Sequence, residues 1–202
     1  MPPTGETYFA LQEQGGLPHS PESIPSHLQT GLKDIEFMQS ETATLDVETA
    51  FNEGNLAISV KVTNSGAGHH IPTDHPGRNI LLVVEVFDED GLPIEIVEGP
   101  VIPSWGGDLA GTPGKGYAKV LKDVVTGESP VVSYWKQVLI ASDNRIPAME
   151  NDTTKYVFLT NGESCTVQVR LVFRRMFQPI AERYVWEDED ILLVKKEIQI
   201  NP

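Results

Sequence analysis

The side chains best suited to metal chemistry lie close together in residues 66–78, a segment rich in glycine and proline. They are His69, His70, His75 and Asp74. Imidazole and carboxylate groups are the ligands that zinc and copper favour, and a loop that folds back on itself could bring His69 and His75 together. The alternative is structural, because imidazoles also hydrogen-bond to backbone carbonyls that an irregular loop leaves unpaired. We further predict that Asp74 and Arg78 form an ion pair that closes the loop.

The remaining polar motifs do not form a catalytic set. The serine at the end of residues 127–129 lacks the G-x-S-x-G pattern of a nucleophile elbow. Residues 111–116 resemble a phosphate-binding loop only superficially, since Gly116 occupies the position that requires serine or threonine. The acidic run of residues 187–190 lacks the ligand spacing of a calcium loop and is interpreted as a solvated turn. The sequence therefore predicts a protein that is not an enzyme.

The composition and net charge argue against several classes of binding partner. The net charge of −14 over 202 residues argues against nucleic acid and anionic lipid, because both attract basic surfaces. The acidity either keeps the protein soluble or steers a basic partner toward it. No stretch approaches the roughly 20 apolar residues of a membrane-spanning helix, so membrane insertion is not expected. The one cysteine, Cys165, cannot form an internal disulfide, and its alternation with apolar residues predicts a buried side chain.

The spacing of apolar residues predicts two regions. Residues 1–40 are punctuated by prolines and a glycine pair and show little periodicity, which is typical of an extended arm. Only residues 32–38 have the three-residue spacing of a short helix. From residue 41 to residue 202 the apolar period is two, which is typical of β-strands with one buried face.

The strands of residues 41–202 predict a β-sandwich. Residues 56–63 alternate most clearly, and residues 51–55 form the turn of a hairpin. Residues 79–87 are apolar in both phases, as expected for a central strand covered on both sides. Further strands are predicted at residues 92–97, 119–125, 137–141, 154–159, 165–174 and 191–200. This pattern indicates an all-β, immunoglobulin- or fibronectin-like sandwich with an irregular N-terminal arm. Residues 99–116 and 176–190 are predicted to be functional loops or aromatic caps on the sandwich.

Residues 62–73 read Val-Thr-Asn-Ser-Gly-Ala-Gly-His-His-Ile-Pro-Thr, and Pro76, Arg78 and an apolar strand ending in Asp-x-x-Gly (residues 88–91) follow. This pattern resembles the β-sandwich domain that follows the haem-binding part of many bacterial multihaem c-type cytochromes. Three further segments resemble the same domain: residues 105–111, 143–147 and 152–154. The resemblance covers roughly residues 40–200, and its Gly-Ala-Gly-His-x-x-Pro-Thr core marks a domain rather than an activity.

The resemblance implies an origin for the arm. Such cytochromes often continue with Met-Pro after a haem-attachment motif, as residues 1–2 do, so Met1 need not be the natural start. His27, which follows a serine and precedes Gly31 and a short helix, matches the setting of a far axial haem ligand in the family. His19 is a second candidate for this role. Neutral imidazole binds haem iron, and on this resemblance the arm is a remnant of a haem-binding region.

The resemblance also limits what the chain does alone. The sequence contains no C-x-x-C-H motif, so this chain cannot attach haem, and haem c belongs to the parent protein. We predict a non-catalytic accessory domain that caps the haem-bearing region of the same parent chain, supports electron transfer and docks redox partner proteins. The predicted location is periplasmic or extracellular. The alternatives are a self-contained copper- or zinc-binding module that uses His69, His70 and His75, and a purely structural or adhesive sandwich.

Overall fold

The structure, a computed structural model, describes residues 11–17, 20, 31–52, 54–187 and 189–201. The chain divides into two compact units, Met1–Asp34 and Ile35–Pro202. The described residues of the first unit contain the 3-10 helices Gln12–Gln14 and Gly31–Lys33. The short helix predicted over residues 32–38 is therefore two elements, since the α-helix that follows begins the second unit.

The second unit contains two α-helices and nine strands within its described residues. The helices are α1 (Ile35–Glu41) and α2 (Gln178–Arg183). The strands are β1 (Thr44–Asn52), β2 (Asn55–Thr63), β3 (Asn79–Phe87), β4 (Ile96–Glu98), β5 (Gly114–Asp123), β6 (Val138–Asp143), β7 (Asn151–Leu159), β8 (Cys165–Arg174) and β9 (Ile191–Ile200). A 3-10 helix, Ser104–Leu109, precedes β5. In the described part of the chain, no helix has the length and apolar character to cross a membrane.

The strands form two antiparallel sheets. One sheet has the order β1-β2-β7-β4 and the other has the order β6-β5-β3-β8-β9. Strands β1 and β2 pair without a register shift, which confirms the predicted hairpin. The arrangement confirms the predicted all-β sandwich, whereas its immunoglobulin- or fibronectin-like character stays a prediction.

Alternating side chains of both sheets fill the core. In β2 every second residue, from Leu56 to Val62, is buried, as the period of two predicts. Tyr156 and Phe158 of β7 are buried beside them. Removing one such large side chain from water stabilises the fold by about 1.5–3 kcal/mol. Cys165 is buried at the start of β8, which confirms its prediction as a small core residue.

Strand β3 lies at the centre of the five-stranded sheet and is buried on both faces, as predicted. The second face is covered by the two stretches that looked irregular in the sequence. Leu81 and Val83 pack against Ile102, and α2 packs against β5 through Ile180. Trp105 joins both contacts, with its ring 5.2 Å from the ring of Phe177 in an edge-to-face arrangement. These stretches are therefore part of the folded core rather than free loops.

Arg174, at the end of β8, ties these covering elements together. Its guanidinium donates to the carbonyl oxygen of Gly106 at 2.5 Å and to Gln178 Oε1 at 3.1 Å. It also forms ion pairs with Asp108 and Asp190, at 2.5 and 2.8 Å. The side chain is only 6% exposed, so the 3-10 helix, α2 and the segment before β9 share one buried cation.

A second polar cluster joins the two sheets. Asp152 of β7 accepts hydrogen bonds from Lys115 Nζ at 2.8 Å and from the Tyr117 hydroxyl at 2.9 Å, both on β5. Burial, together with the charge of Asp152, raises the pKa of Tyr117, so its hydroxyl remains a donor. Burial also opposes ionisation of Asp152, but its hydrogen bonds to Lys115, Tyr117 and Thr154 outweigh this effect and lower its pKa.

The lowered pKa of Asp152 predicts a pH-dependent contribution to stability. A carboxyl whose pKa is lower in the folded state stabilises the fold above its unfolded pKa, near 3.9. That contribution is lost as the pH falls through the folded-state pKa. We expect Asp152→Asn to lower the free energy of unfolding by about 1–2 kcal/mol at pH 7 and by less at pH 3. Urea denaturation at both pH values measures this, and a difference that does not change with pH contradicts the prediction.

Candidate functional site

The loop that contains the three histidines joins β2 to β3 across one end of the sandwich, and we call residues 64–78 the histidine loop. Its backbone is tied to residues 144–150, the loop between β6 and β7. Ile71 and Ile146 exchange both backbone hydrogen bonds, at 2.9 and 3.0 Å. The Asn64 N–H donates to the carbonyl oxygen of Glu150 at 3.0 Å. The two loops therefore form one supported surface rather than two free segments.

Asn64 is the polar anchor of this surface. Its side chain is completely buried. The amide nitrogen Nδ2 lies 2.8, 3.1 and 3.0 Å from the carbonyl oxygens of His69, Ile146 and Pro147, so its two N–H groups are shared among three acceptors. Carbonyl groups buried without a donor are costly, so one amide satisfies the backbone of both loops. This residue fixes the path of the chain up to His69.

Gly66 places the histidine loop against the end of α1. A Cβ atom at this position would lie 1.8 Å from the carbonyl oxygen of Glu41, much closer than any real contact. The helix end and the loop therefore pack backbone against backbone, and only glycine fits without movement of one or the other.

This close approach predicts the effect of a single methyl group. We expect Gly66→Ala to lower the free energy of unfolding by about 1–3 kcal/mol because it overpacks the contact with Glu41. Gly68→Ala is the matched control, since its Cβ would meet no atom within 4 Å, and its effect should stay within about 0.5 kcal/mol. Urea denaturation measures both variants. Equal losses would show that the contact between α1 and the loop does not constrain the fold.

His69 and His70 are exposed at the tip of the supported surface. The Nδ1 atom of His69 lies 2.9 Å from the carbonyl oxygen of His70. Because a carbonyl oxygen only accepts hydrogen bonds, Nδ1 carries the proton and the neutral ring keeps a lone pair on Nε2. The exposed His69 thus has a lone pair on Nε2 that is available to bind a metal.

His75 has the opposite arrangement. Its Nδ1 accepts a hydrogen bond from the Gly77 N–H at 3.2 Å, so the neutral ring carries its proton on Nε2. Its ring lies 6.4 Å from that of Tyr134 in an edge-on arrangement. Partial burial, reinforced by the positive charge of Arg78, lowers the pKa of His75. This histidine therefore supports the loop and its neighbour rather than offering a free nitrogen.

The predicted ion pair between Asp74 and Arg78 is wrong. Asp74 Oδ1 instead pairs with Lys119 and Arg145, at 2.9 Å each. Arg78 Nη1 donates to Thr73 Oγ1 at 2.6 Å. The reason is that β5 and the loop after β6 bring two cations to the outer side of the loop, a long-range contact that local spacing does not reveal.

No group of three or more histidine, cysteine, aspartate or glutamate residues is placed to hold a metal ion within the described ranges. The histidine loop does not bring His69, His70, His75 and Asp74 together as one ligand set. Copper or zinc binding by these residues stays a prediction for metal titration. His27 and His19, the candidate axial ligands in the arm, lie outside the described residues.

A hairpin extends past the same end of the sandwich. Strand β5 pairs with β3 from Gly114 to Ala118, opposite the first residues of β3, and its second half pairs with β6. The hairpin of β5 and β6 therefore extends beyond the start of β3, where the histidine loop ends. The edge-on contact between His75 and Tyr134 places its connecting segment beside that loop.

This connecting segment carries apolar side chains that the fold does not bury. Trp135 and Val125 are each 82% exposed and Tyr134 is 77% exposed. Asp123 and Lys136 hold the segment in place through an ion pair of 2.9 Å. We call residues 124–140 the hairpin tip. This surface was not predicted. The adjacent Tyr134 and Trp135, which lie outside any alternating strand pattern, mark it in the sequence.

The residues present fit one part of haem chemistry and not another. Covalent attachment of a c-type haem requires the two cysteines of C-x-x-C-H, whereas the chain has the single Cys165, buried in β8. Axial ligation requires one neutral imidazole nitrogen, which His69 offers.

Residues 111–116 do not form a phosphate-binding loop, because Gly114 already begins β5 and a strand follows rather than a helix.

Comparisons with known proteins give one result. No family model matches the chain, and a search of the curated proteins finds no match. Among solved structures, the chain is similar to a penta-heme cytochrome c552 from Thermochromatium tepidum, with a TM-score of 0.65 and 19% sequence identity. The match covers 84% of this chain and 42% of the cytochrome chain. The sandwich fold therefore occurs within a multihaem cytochrome, and this chain spans less than half of that protein's length.

Proposed function

We propose that this chain is a non-catalytic accessory domain of a multihaem c-type cytochrome, located in the periplasm or outside the cell. The observation that carries the proposal is the fold match to a penta-heme cytochrome over 84% of the chain. It agrees with the resemblance found independently in residues 62–78. Haem in this account belongs to the parent protein, since this chain has a single, buried cysteine.

The role proposed for the sandwich is to cap the haem-bearing region of its parent chain. The histidine loop and the hairpin tip lie side by side at one end, joined by the contact between His75 and Tyr134. Exposed apolar groups such as Trp135 and Val125 are typical of surfaces that pack against another protein. We assign the haem-bearing region as the partner that packs against this end of the sandwich. The reason is that more than half of the similar cytochrome's chain lies outside the part that matches this chain.

The acidic charge supports a second role in the docking of redox partners. A net charge of −14 accelerates encounter with basic proteins, an effect that weakens as salt screens it. Encounter of this kind favours rapid association over tight binding. In this account the apolar end faces the parent protein and the acidic surface faces its transient partners.

Hydrogen exchange tests the proposed cap. We would compare the isolated chain with the native polypeptide that contains this sequence. Amides of residues 124–140 are expected to exchange more slowly in the native polypeptide, while those of β8, buried in the sandwich itself, should be unchanged. Equal exchange of residues 124–140 in the two samples would contradict the cap.

A further inference from the structure

We infer that His69 donates its Nε2 to the iron of a haem carried by the haem-bearing region of the parent protein, as an axial ligand. The inference rests on the proposed function and adds a specific residue and atom to it. It concerns one coordinate bond between a neutral imidazole and an iron with an open axial position, and no electron transfer is required to form it.

The protonation of the His69 ring favours this role. The hydrogen bond from Nδ1 of His69 to the carbonyl oxygen of His70, at 2.9 Å, places the proton on Nδ1. Histidines that bind metals characteristically donate the other ring N–H to a backbone carbonyl or carboxylate, which fixes the tautomer and the ring orientation. Nε2 of His69 makes no hydrogen bond to any residue in the described part of the chain. The ring therefore has the tautomer and the orientation typical of a histidine ligand.

The backbone of His69 is held rigidly on both sides. The carbonyl oxygen of His69 accepts a 2.8 Å hydrogen bond from the buried Asn64. Two residues later, Ile71 is paired with Ile146 through two backbone hydrogen bonds. A functional group held on a fixed backbone loses little conformational entropy when it binds.

The other two histidines of the histidine loop differ from His69 in their hydrogen bonds. Nδ1 of His75 already accepts a hydrogen bond from the Gly77 N–H, and its ring lies edge-on to the ring of Tyr134. No hydrogen bond to a described residue orients the ring of His70. His69 is thus distinguished from its neighbours by geometry, although all three have the same chemistry.

The location of His69 also favours this role. His69 is exposed on the end of the sandwich that also carries the hairpin tip, where Tyr134 contacts His75. If that end covers the haem-bearing region, an imidazole from the histidine loop lies at the interface. A ligand from the capping domain would exclude water from the iron and influence its potential through axial ligation.

A ferric haem peptide with one attached histidine and an exchangeable water on the opposite face of the iron provides the test. Titration of the peptide with the full chain is followed in the Soret band and by the low-spin bands of a bis-histidine haem. Wild type is expected to convert the peptide to the low-spin form. His69→Ala should weaken this binding by at least about tenfold, which corresponds to 1.4 kcal/mol. His70→Ala is the matched control and should bind as wild type does.

Several outcomes would overturn the inference. One is unchanged binding in His69→Ala, including binding that is lost instead in His27→Ala, which would assign the ligand to the arm. A second is the absence of a low-spin form with wild type. A third is stoichiometric copper or zinc bound by wild type and lost in both His69→Ala and His75→Ala. Thermal melts confirm that each variant is folded. For His69→Ala this is expected because, among the described residues, its ring hydrogen-bonds only to the neighbouring carbonyl of His70.

Failure of this inference can be separated from failure of the proposed function. Protection of residues 124–140 in the native polypeptide, with no effect of His69→Ala on haem binding, would leave the cap in place and remove the ligand. A native polypeptide without haem would remove the proposed function itself, whatever the peptide titration shows.

Discussion

Asn64→Asp is expected to lower the free energy of unfolding by about 3–5 kcal/mol at pH 7, the cost of an uncompensated buried charge. The two N–H groups of the Asn64 amide are shared among three carbonyl oxygens, all within 3.1 Å of Nδ2. A carboxylate in the same place would face those oxygens without a proton to donate, in a site with no solvent exposure. The loss should therefore exceed that of a simple truncation.

The pH dependence of this variant gives a sharper test. Burial and the facing carbonyls should raise the pKa of the introduced carboxyl above its unfolded value. A carboxyl with a raised folded-state pKa destabilises the fold less when it is protonated than when it is ionised. The loss of unfolding free energy in Asn64→Asp should therefore become smaller as the pH falls from 7 to 5. Asn64→Ala, which cannot titrate, should show no such recovery. Asn52→Asp, at an exposed end of β1, should change stability by less than about 0.5 kcal/mol.

Urea denaturation of the three variants at pH 7 and pH 5 measures these effects. A loss below 1 kcal/mol for Asn64→Asp, or the same loss as in Asn52→Asp, would show that Asn64 does not anchor the two loops. If Asn64→Ala regained as much stability at pH 5 as Asn64→Asp, the introduced carboxyl would not be the cause of the pH dependence.

Arg174→Met is expected to lower the free energy of unfolding by about 2–4 kcal/mol. Methionine keeps most of the aliphatic packing but removes the donors to Gly106 and Gln178 and the pairing with Asp108 and Asp190. Both aspartates are partly exposed and can be hydrated, whereas the carbonyl oxygen of Gly106 is bonded in a buried setting. The loss therefore comes mainly from the buried hydrogen bonds.

Arg183→Met is the matched control for this prediction. Arg183 pairs with Glu128 at 2.6 Å, but its side chain is 59% exposed. Exposed ion pairs contribute about 0–1 kcal/mol. Near-UV circular dichroism should report a changed environment of Trp105 in Arg174→Met alone. Similar losses in both variants would mean that Arg174 is an ordinary surface cation rather than the link between the covering elements.

The strands with the clearest apolar patterns could be predicted from the sequence. The predicted bounds of the strands now called β3, β8 and β9 agree with the structure, because one or both faces of each are buried and the side-chain period is uninterrupted. The start of β5 was missed, since residues 114–116 are dominated by glycine. Glycine is needed there because Trp105 packs directly on Gly116 and the backbone of Leu82 lies against Gly114. The six-residue α2 is too short to show a helical period.

The candidate site was predicted only in part. The histidines were predicted as candidate ligands because imidazole binds metals, and the loop that carries them was correctly predicted to lie between two strands. The role of Asn64 was not predicted, because its three acceptors lie in two loops. Two of these acceptors, the carbonyl oxygens of Ile146 and Pro147, are 82 and 83 positions away in the chain. The partners of Asp74 were missed for the same reason. Long-range backbone contacts have no local pattern, so only the structure shows that Asn64 holds the backbone of His69 and that the rings of His69 and His75 make different hydrogen bonds.

The most direct test of the central claim is the haem content of the native polypeptide that contains this sequence. An antibody raised against the chain would isolate that polypeptide from its natural source. Mass spectrometry would then measure its intact mass and peptides, and the pyridine haemochrome spectrum would count covalent haem. We predict several c-type haems attached to the same polypeptide as residues 62–78. A native polypeptide that contains this sequence and carries no covalent haem would contradict the account.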